Sequence, residues 1–263
     1  MEYVTSKDGI RIGYERSGEG PPLVLIHGAA ADHTRWTSIL PALEKHFTVY
    51  SVDRRGRGQS GDGNAYAIER EYEDVGAVVD SIPGPVNLLG HSYGAICSLG
   101  ASLRTSNLRK LILYEPPIPI DVKENISTNA VDRMNAYLQV GEREKVLLIF
   151  LKEIVGIPQK EIKILRLFHN WSYRVAAAHT IPREEACAKA YILDPQKFSN
   201  METQTLLLLG GDSPPFFRAA IETLKRSIPN SRIAMMPGQR HAAMETAPKL
   251  FLEEVIGFLA EKR

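Results

Sequence analysis

The pentapeptide Gly90-His91-Ser92-Tyr93-Gly94 places one serine between two glycines in a G-x-S-x-G pattern. The residues before it, PVNLL, predict a buried strand, and those after it, AICSLGASLR, suit a helix. A serine in so sharp a turn takes a strained backbone conformation, and only small residues two positions away on either side avoid a clash. Glycine–serine clusters also occur in ordinary turns. The strand and helix on either side nevertheless favour a nucleophilic serine, whose chemistry is acyl transfer.

A serine hydroxyl is a weak nucleophile and needs a base to accept its proton. Among the seven histidines, His241 follows a strand-like run and precedes a helix, which puts it at the same edge of the sheet as Ser92. We therefore predict that His241 is the base. His91 adjoins the serine but should point away from its hydroxyl, so we interpret it as packing or polar support. We expect two other histidines to be solvated beside helices and two more to lie where they could contact substrate; these are His33 and His46, and His169 and His179.

Short apolar runs bounded by glycine, proline or aspartate predict the strands that must position these residues. They are Pro22–His27, Phe47–Asp53, Pro85–Gly90, Leu108–Glu115, Thr205–Gly210 and Ser231–Gly238. Amphipathic stretches between them predict helices, among them Thr34–His46, Glu69–Ile82 and a last helix with Thr246 as its N-cap. This alternation implies an α/β fold with a mostly parallel sheet. Asp8-Gly9, between two alternating segments, predicts an antiparallel hairpin at its start.

One region breaks the alternation of strands and helices. Residues 118–200 show helix-like patterns without a good strand, which predicts a helical cap inserted over the end of the sheet. The core is then expected to comprise residues 1–117 and 201–263. No repeat, low-complexity tract or flexible linker divides the chain, so we predict one fold with an insertion rather than two independent domains.

The composition bounds the classes of function. The 263 residues, 44% of them hydrophobic, suffice for a substantial core. A net charge of +1 indicates no nucleic-acid partner, and no apolar run approaches the roughly 18 residues of a membrane span. No metal or nucleotide motif is present, so no cofactor is implied. Without a signal-peptide pattern or a C-x-x-C pair, we expect a cytoplasmic monomer or homodimer acting on a small-molecule substrate.

Four motifs in this order resemble those of the α/β-hydrolase family. The G-x-S-x-G pentapeptide matches its nucleophile elbow, and His27-Gly28, at the end of a predicted strand, resembles its oxyanion loop. The segment DRRGRGQS, Asp53–Ser60, resembles its D-x-x-G-x-G-x-S motif, and PGQRH, Pro237–His241, resembles the loop bearing its catalytic histidine. The resemblance covers nearly the whole chain and implies an α/β-hydrolase fold with a helical cap after the sixth strand.

The resemblance also implies roles for several backbone groups. It assigns the oxyanion hole to the N–H groups of Ala29 and Tyr93, and it gives His27 the task of ordering the oxyanion loop. Asp53 is a weak candidate for a catalytic acid, because its motif is interpreted as a structural turn. The arginines of RRGR, which follow Asp53, are expected to be exposed loop charge.

Two carboxylates compete to orient His241. The family usually places this acid after its seventh strand in a G-x-x-D pattern, but here Ser213 holds that position and Asp212 comes one residue early. Asp212 could instead cap the following helix. Glu115 ends the sixth strand, where branches such as the haloalkane dehalogenases and the zearalenone-type lactonases place a glutamate. A carboxylate at the end of a buried strand and before two prolines is hard to explain as surface charge. Glu115 is therefore preferred, with Asp212 as the alternative.

A serine nucleophile argues against the chemistry of the haloalkane dehalogenases and epoxide hydrolases, which attack through a carboxylate. We predict hydrolysis of a small-molecule ester or lactone through an acyl-enzyme, with Trp171 and Phe168 of the cap as candidate substrate contacts or as packing within the cap. C–C bond hydrolases, hydroxynitrile lyases and cofactor-free haloperoxidases share the scaffold, so the fold does not decide the substrate. A non-catalytic receptor is a further alternative, against which the presence of both Ser92 and His241 counts.

Overall fold

The computed structural model describes residues 1–120, 128–167 and 170–261, within which eight strands form one sheet in the order β1-β2-β4-β3-β5-β6-β7-β8. The strands are β1 (Glu2–Thr5), β2 (Arg11–Ser17), β3 (Pro22–Ile26), β4 (Thr48–Val52), β5 (Val86–His91), β6 (Leu108–Tyr114), β7 (Gln204–Gly210) and β8 (Ser231–Met236). The pairs β1–β2 and β2–β4 are antiparallel and the remaining pairs are parallel. The mostly parallel α/β sheet and its opening hairpin are thereby confirmed.

The helices of the core are α1 (Leu40–Leu43), α2 (Ile68–Ser81), α3 (Tyr93–Ser102), α9 (Pro215–Ser227), α10 (Ala243–Thr246) and α11 (Pro248–Ala260). The single helix predicted over Thr34–His46 is wrong. A 3-10 turn at His33–Trp36 precedes α1, and a proline in the first turn of α1 marks the new start. The N-cap of α11 is Ala247 rather than the predicted Thr246, because Thr246 ends α10.

Two apolar cores lie on opposite faces of the sheet, because successive side chains of a strand point to opposite sides. Leu88 packs with α2, α3 and α9 in one core, whereas Leu89 packs with Trp36, α1 and α11 in the other. All strand residues of β5 are buried. A sheet covered on both faces leaves the carboxyl ends of its parallel strands as the place where loops can form a site.

Between β6 and β7 the described residues form helices and no strand. The helices are α4 (Thr128–Gln139), α5 (Arg143–Ile149), α6 (Gln159–Leu165), α7 (Trp171–Ala177) and α8 (Ile181–Ala190), with a π-helical turn at Phe150–Ile154. Their buried apolar side chains, such as Met134 and Leu147, form a third core. The helical character expected for this region is confirmed, and the proposed cap boundaries stay a prediction. Within the described ranges, no helix has both the length and the apolarity to cross a bilayer.

Candidate active site

Ser92 occupies the turn between β5 and α3 with φ 55° and ψ −126°, a conformation that is strained for any residue with a side chain. Its N–H donates a hydrogen bond of 2.8 Å to the carbonyl of Tyr114 at the end of the neighbouring strand. A Cβ on Gly94 would lie 2.5 Å from the carbonyl oxygen of Ile26, and a Cβ on Gly90 would lie 2.5 Å from that of Gly94. The two glycines thus have the steric role that the motif predicts, and the partly exposed Ser92 is held at the edge of the sheet.

Glu115 follows the last residue of β6 with a positive φ of 44° and is fully buried. Its Oε2 accepts a hydrogen bond of 2.6 Å from His241 Nδ1, and its Oε1 accepts one of 2.7 Å from the N–H of Gly210. Because both oxygens are engaged, the carboxylate holds the imidazole in one orientation. With Nδ1 as the donor, the neutral ring leaves Nε2 as a proton acceptor.

Asp212, the other candidate acid, is exposed. It joins the histidine loop through its backbone, since its N–H donates to the carbonyl of Gln239 at 2.9 Å and its own carbonyl accepts from Arg240 Nε at 3.1 Å. The N-cap of α9 is Pro214, so Asp212 does not cap that helix either. The structure therefore brings Glu115, and not Asp212, to His241.

The His241 imidazole lies between two other rings. Phe217 stacks on it with ring centroids 4.6 Å apart and planes inclined by 17°, and His91 lies 4.6 Å away on a tilted plane. His91 Nε2 donates a hydrogen bond of 2.8 Å to the backbone carbonyl of His241. Burial, and then the nearby His241, hold the pKa of His91 well below its usual value, so His91 stays neutral and supports the loop.

Tyr114 forms hydrogen bonds to the backbone of the loop that carries His241. Its hydroxyl donates to the carbonyl of Arg240 and accepts a hydrogen bond of 3.1 Å from the N–H of Ala243. Sequence patterns missed both Tyr114 and Phe217, because an aromatic residue in a strand or on a helix predicts core packing. No local signal connects Tyr114 to a loop more than a hundred residues away, or Phe217 to the ring of His241.

The oxyanion loop passes directly beside the elbow, since a Cβ on Gly28 would lie 2.8 Å from Ser92 Cβ. Tyr93 is the first residue of α3, so its N–H has no carbonyl acceptor within the helix. Ala29 follows Gly28 directly in the chain. This placement agrees with the backbone donors expected at Ala29 and Tyr93, whose catalytic role stays a prediction.

The model of the family described as "Alpha/beta hydrolase family" matches residues 23–254 of this chain. The chain belongs to this family. An alpha/beta hydrolase from Sphaerobacter thermophilus superposes with a TM-score of 0.87 and 33% identity, covering 98% of this chain and 100% of that one. An enol-lactonase from Burkholderia xenovorans shares the fold at 19% identity, with a TM-score of 0.78 and coverage of 99% and 100%.

Among sequence relatives, this hydrolase chain is 26% identical over 244 residues to the (E)-2-((N-methylformamido)methylene)succinate hydrolase of Acinetobacter baylyi. The match covers 90% of this chain and 89% of the relative. The family predicted from four short motifs is thereby confirmed over most of the length.

The arginines after β4 contradict the expectation of exposed loop charge, because Arg54, Arg55 and Arg57 are exposed by only 1%, 1% and 4%. Each pairs with an acid that lies elsewhere in the chain. Arg55 binds both carboxylate oxygens of Asp74, at 2.6 and 2.7 Å, and Arg57 binds Glu184 of α8. Such partners keep a buried charge tolerable, and a local motif does not reveal them.

Asp53 forms the structural turn that was expected of its motif. Its carboxylate is buried and accepts hydrogen bonds from the N–H groups of His33 at 2.9 Å and Gln59 at 2.8 Å. His33, expected to be solvated, also donates its Nδ1–H to Asp53 at 2.8 Å, and this bond raises the pKa of His33. Asp32, His33 and Asp53 bring ligand atoms within 4.8 Å of one another. The N–H groups that already occupy Asp53 explain this cluster as part of the turn.

The candidate substrate contacts in the helical region receive little support. Phe168 and His169 lie outside the described residues. Trp171 donates its indole N–H to Glu144 at 3.0 Å and packs against the third core, and His179 donates to the carbonyl of Ala176 at 2.9 Å. These contacts of Trp171 correspond to packing within the helical region, the alternative considered for it.

Proposed function

We propose that this protein is a serine hydrolase of a small-molecule ester or lactone. In this proposal Ser92 is the nucleophile, His241 the general base and Glu115 the orienting acid. The observation that carries it is the 2.6 Å hydrogen bond from His241 Nδ1 to the buried Glu115, at the sheet edge where Ser92 has its strained conformation. Membership of a hydrolase family supports the same reaction class.

The proposed reaction has two halves. Ser92 Oγ attacks the carbonyl carbon while His241 Nε2 accepts the hydroxyl proton, and the oxyanion is bound by the N–H groups of Ala29 and Tyr93. His241 then gives the proton to the leaving oxygen, and an acyl-enzyme remains. Water attacks the acyl group with His241 again as base, which releases the acid and restores Ser92. Throughout, Glu115 fixes the tautomer and stabilises the imidazolium.

Hydrolysis of an N-acyl derivative of an organic acid is the second candidate. The relative from Acinetobacter baylyi is named for such a substrate. In this chain Arg35 and Arg174 line a cavity of about 10 Å³ beside the oxyanion loop and share the carboxylate of Glu245, at 2.6 and 3.7 Å. Burial, and then Arg35, lower the pKa of Arg174 to about 10. Because two guanidinium groups share this one carboxylate, a substrate carboxylate near Arg174 would add a second negative charge beside them.

The two candidates predict different preferences between matched esters. With p-nitrophenyl butyrate and p-nitrophenyl hemisuccinate, a preference for the anionic ester that disappears in Arg174→Gln would favour the second candidate. Equal kcat/KM for both esters in both proteins would favour a neutral substrate.

The central test is turnover of p-nitrophenyl butyrate together with labelling by a fluorophosphonate. We expect wild-type turnover and a single label on Ser92, and Ser92→Ala should lose both. Glu115→Gln should lower kcat by about 10³–10⁴-fold because the imidazole loses its tautomer and orientation, whereas the matched change Asp212→Asn should leave kcat nearly unchanged. A wild-type protein that neither turns over ester nor takes the label would refute the proposal.

A further inference from the structure

The Arg54 side chain forms hydrogen bonds to three separate parts of the chain, one of which is the oxyanion loop at His27-Gly28. Its Nε and Nη2 bind the two carboxylate oxygens of Glu71 on α2, at 2.9 and 2.6 Å. Nη2 also donates to Glu184 on α8, at 2.9 Å. The remaining nitrogen, Nη1, donates to the backbone carbonyl of Gly28 at 3.2 Å. A guanidinium with this many partners has one orientation.

The carbonyl of Gly28 accepts a second hydrogen bond, from the His27 ring. The contacts of the two ring nitrogens decide which of them carries the proton. The backbone N–H of Arg54 points at His27 Nε2, at 3.3 Å, so Nε2 is the acceptor of this ring. The proton of the neutral imidazole is therefore on Nδ1, which donates to the carbonyl of Gly28 at 2.8 Å. Burial, and then the charges of Arg57 and Arg54, hold the pKa of His27 well below its usual value, in agreement with a neutral ring.

The carbonyl of Gly28 and the N–H of Ala29 belong to one peptide unit. The chain contains no cis peptide bond within its described residues, and in a planar trans peptide the two groups point in opposite directions. When Arg54 and His27 hold the oxygen on their side, the N–H of Ala29 is held on the other. Gly28 adjoins Ser92, so the orientation of this peptide decides whether the oxyanion hole is complete.

We propose that Arg54 is a positioning residue of the oxyanion hole, which together with His27 holds the Gly28–Ala29 peptide so that the N–H of Ala29 faces Ser92. The inference rests on the proposed serine-hydrolase function. The Arg54 guanidinium also lies over the Tyr93 ring, 4.7 Å from its centroid. Arg54 thus contacts Gly28 and Tyr93, on both sides of the proposed hole, while its side chain is only 1% exposed.

Glu71 and Glu184 give this arrangement its stability. Arg54 brings one positive charge between two carboxylates, and Arg57 supplies the second charge by binding Glu184. The Tyr66 hydroxyl, which lies 2.9 Å from both Glu71 and the Tyr93 hydroxyl, closes the network toward the elbow. Glu184 belongs to α8. The orientation of the Gly28–Ala29 peptide therefore depends on the position of this helix from the region between β6 and β7.

Arg55 offers a matched control for Arg54. The two arginines are adjacent and equally buried, and each binds an acid of α2 through two nitrogens, but Arg55 continues to Asp8 rather than to the oxyanion loop. We expect Arg54→Lys to lower kcat for p-nitrophenyl butyrate by about 10–100-fold, somewhat less than loss of an oxyanion donor, with KM nearly unchanged. Arg55→Lys should lose comparable stability and keep its kcat.

Inhibition by phenylboronic acid separates positioning from a general loss of structure. Its tetrahedral adduct with Ser92 would place an oxygen in the oxyanion hole, so its inhibition constant should rise in Arg54→Lys by a factor similar to the fall in kcat. An unchanged inhibition constant, an unchanged kcat in Arg54→Lys, or an equal loss of kcat in Arg55→Lys would each overturn the proposal.

Two further measurements distinguish a failure of this inference from a failure of the proposed hydrolase function. If Arg54→Lys does not fold, Glu71→Gln keeps the shape of the anchor but removes its charge, and an unchanged kcat there would also overturn the proposal. If the wild-type protein proves inactive, the hydrolase proposal fails, and the peptide is examined directly in a crystal structure of Arg54→Lys. We expect the Gly28 carbonyl to have turned away from its wild-type direction; retention of that direction would refute the role of Arg54.

Discussion

The elbow at residues 90–94 and the loop at residues 53–60 both follow a parallel strand, and both contain glycines, but the glycines do different work. At the elbow, Gly90 and Gly94 keep side-chain atoms away from backbone carbonyls, so that Ser92 can adopt its strained conformation. In the loop, Gly58 has a φ of 54° and wraps the chain around the Asp53 carboxylate, which a Cβ would strike.

The two regions also differ in the range of their contacts. The elbow is determined by neighbours in sequence and by adjacent strands, which sterics alone can specify. The loop buries three arginines, whose acids lie 17, 19, 127 and 130 residues away. The conformation of a steric motif can thus be predicted from the motif itself, whereas the partners of a buried charge depend on the whole fold.

The largest expected effect breaks the elbow. Gly94→Ala puts a Cβ 2.5 Å from the carbonyl oxygen of Ile26, so we expect activity toward p-nitrophenyl butyrate to disappear and the free energy of unfolding to fall by about 3 kcal/mol or more. Gly257→Ala is the control, because it has open space on the exposed side of α11 and should raise stability by up to about 1 kcal/mol. Urea unfolding and ester turnover measure both, and wild-type behaviour of Gly94→Ala would contradict the steric account.

A second prediction tests the charges of the loop without touching the oxyanion peptide. Arg55→Met leaves the buried Asp74 without its bidentate partner, and we expect a loss of about 3–5 kcal/mol in the free energy of unfolding. The double change Arg55→Met, Asp74→Leu removes both charges and should regain most of that loss. The kcat of the folded protein should not change in either variant. A double variant as unstable as the single one would show that the loss comes from packing rather than from an unpaired charge.

Much of the fold was predictable because its sheet is buried on both faces. Continuous apolar runs located β3 to β8 within two residues of their ends, and a Gly-containing turn located the opening hairpin. The break within Thr34–His46, between a 3-10 turn and α1, was not predictable from periodicity alone. The apolar spacing of this segment fits one helix, but the structure breaks it between Trp36 and Leu40, and a proline lies in the first turn of the second helix.

The candidate site was predictable where a residue is fixed by its own turn. Ser92 and His241 lie at ends of parallel strands, which meet at one edge of the sheet. Preference for Glu115 over Asp212 rested on a carboxylate at the end of a buried strand, and the structure places Glu115 on His241. The contacts of Arg54 were not predictable, since the sequence does not show that Glu71 and Glu184 meet beneath Gly28.

The last prediction concerns α8, whose Glu184 binds two arginines of the loop, and it changes the pH dependence of stability rather than the activity. Burial, and then the neighbouring Glu184, raise the pKa of Glu185 from 4.5 to about 8, so the folded protein keeps a proton there that the unfolded chain has lost. Stability should therefore fall as the pH rises from about 4.5 to about 8, by at most about 1.4 kcal/mol per pH unit from this group. Glu185→Gln cannot lose that proton, so its advantage over wild type should be larger at pH 8.5 than at pH 5. Thermal and urea unfolding at both values measure the difference, and an equal advantage at the two would mean that Glu185 is ionised in the folded protein beside Glu184.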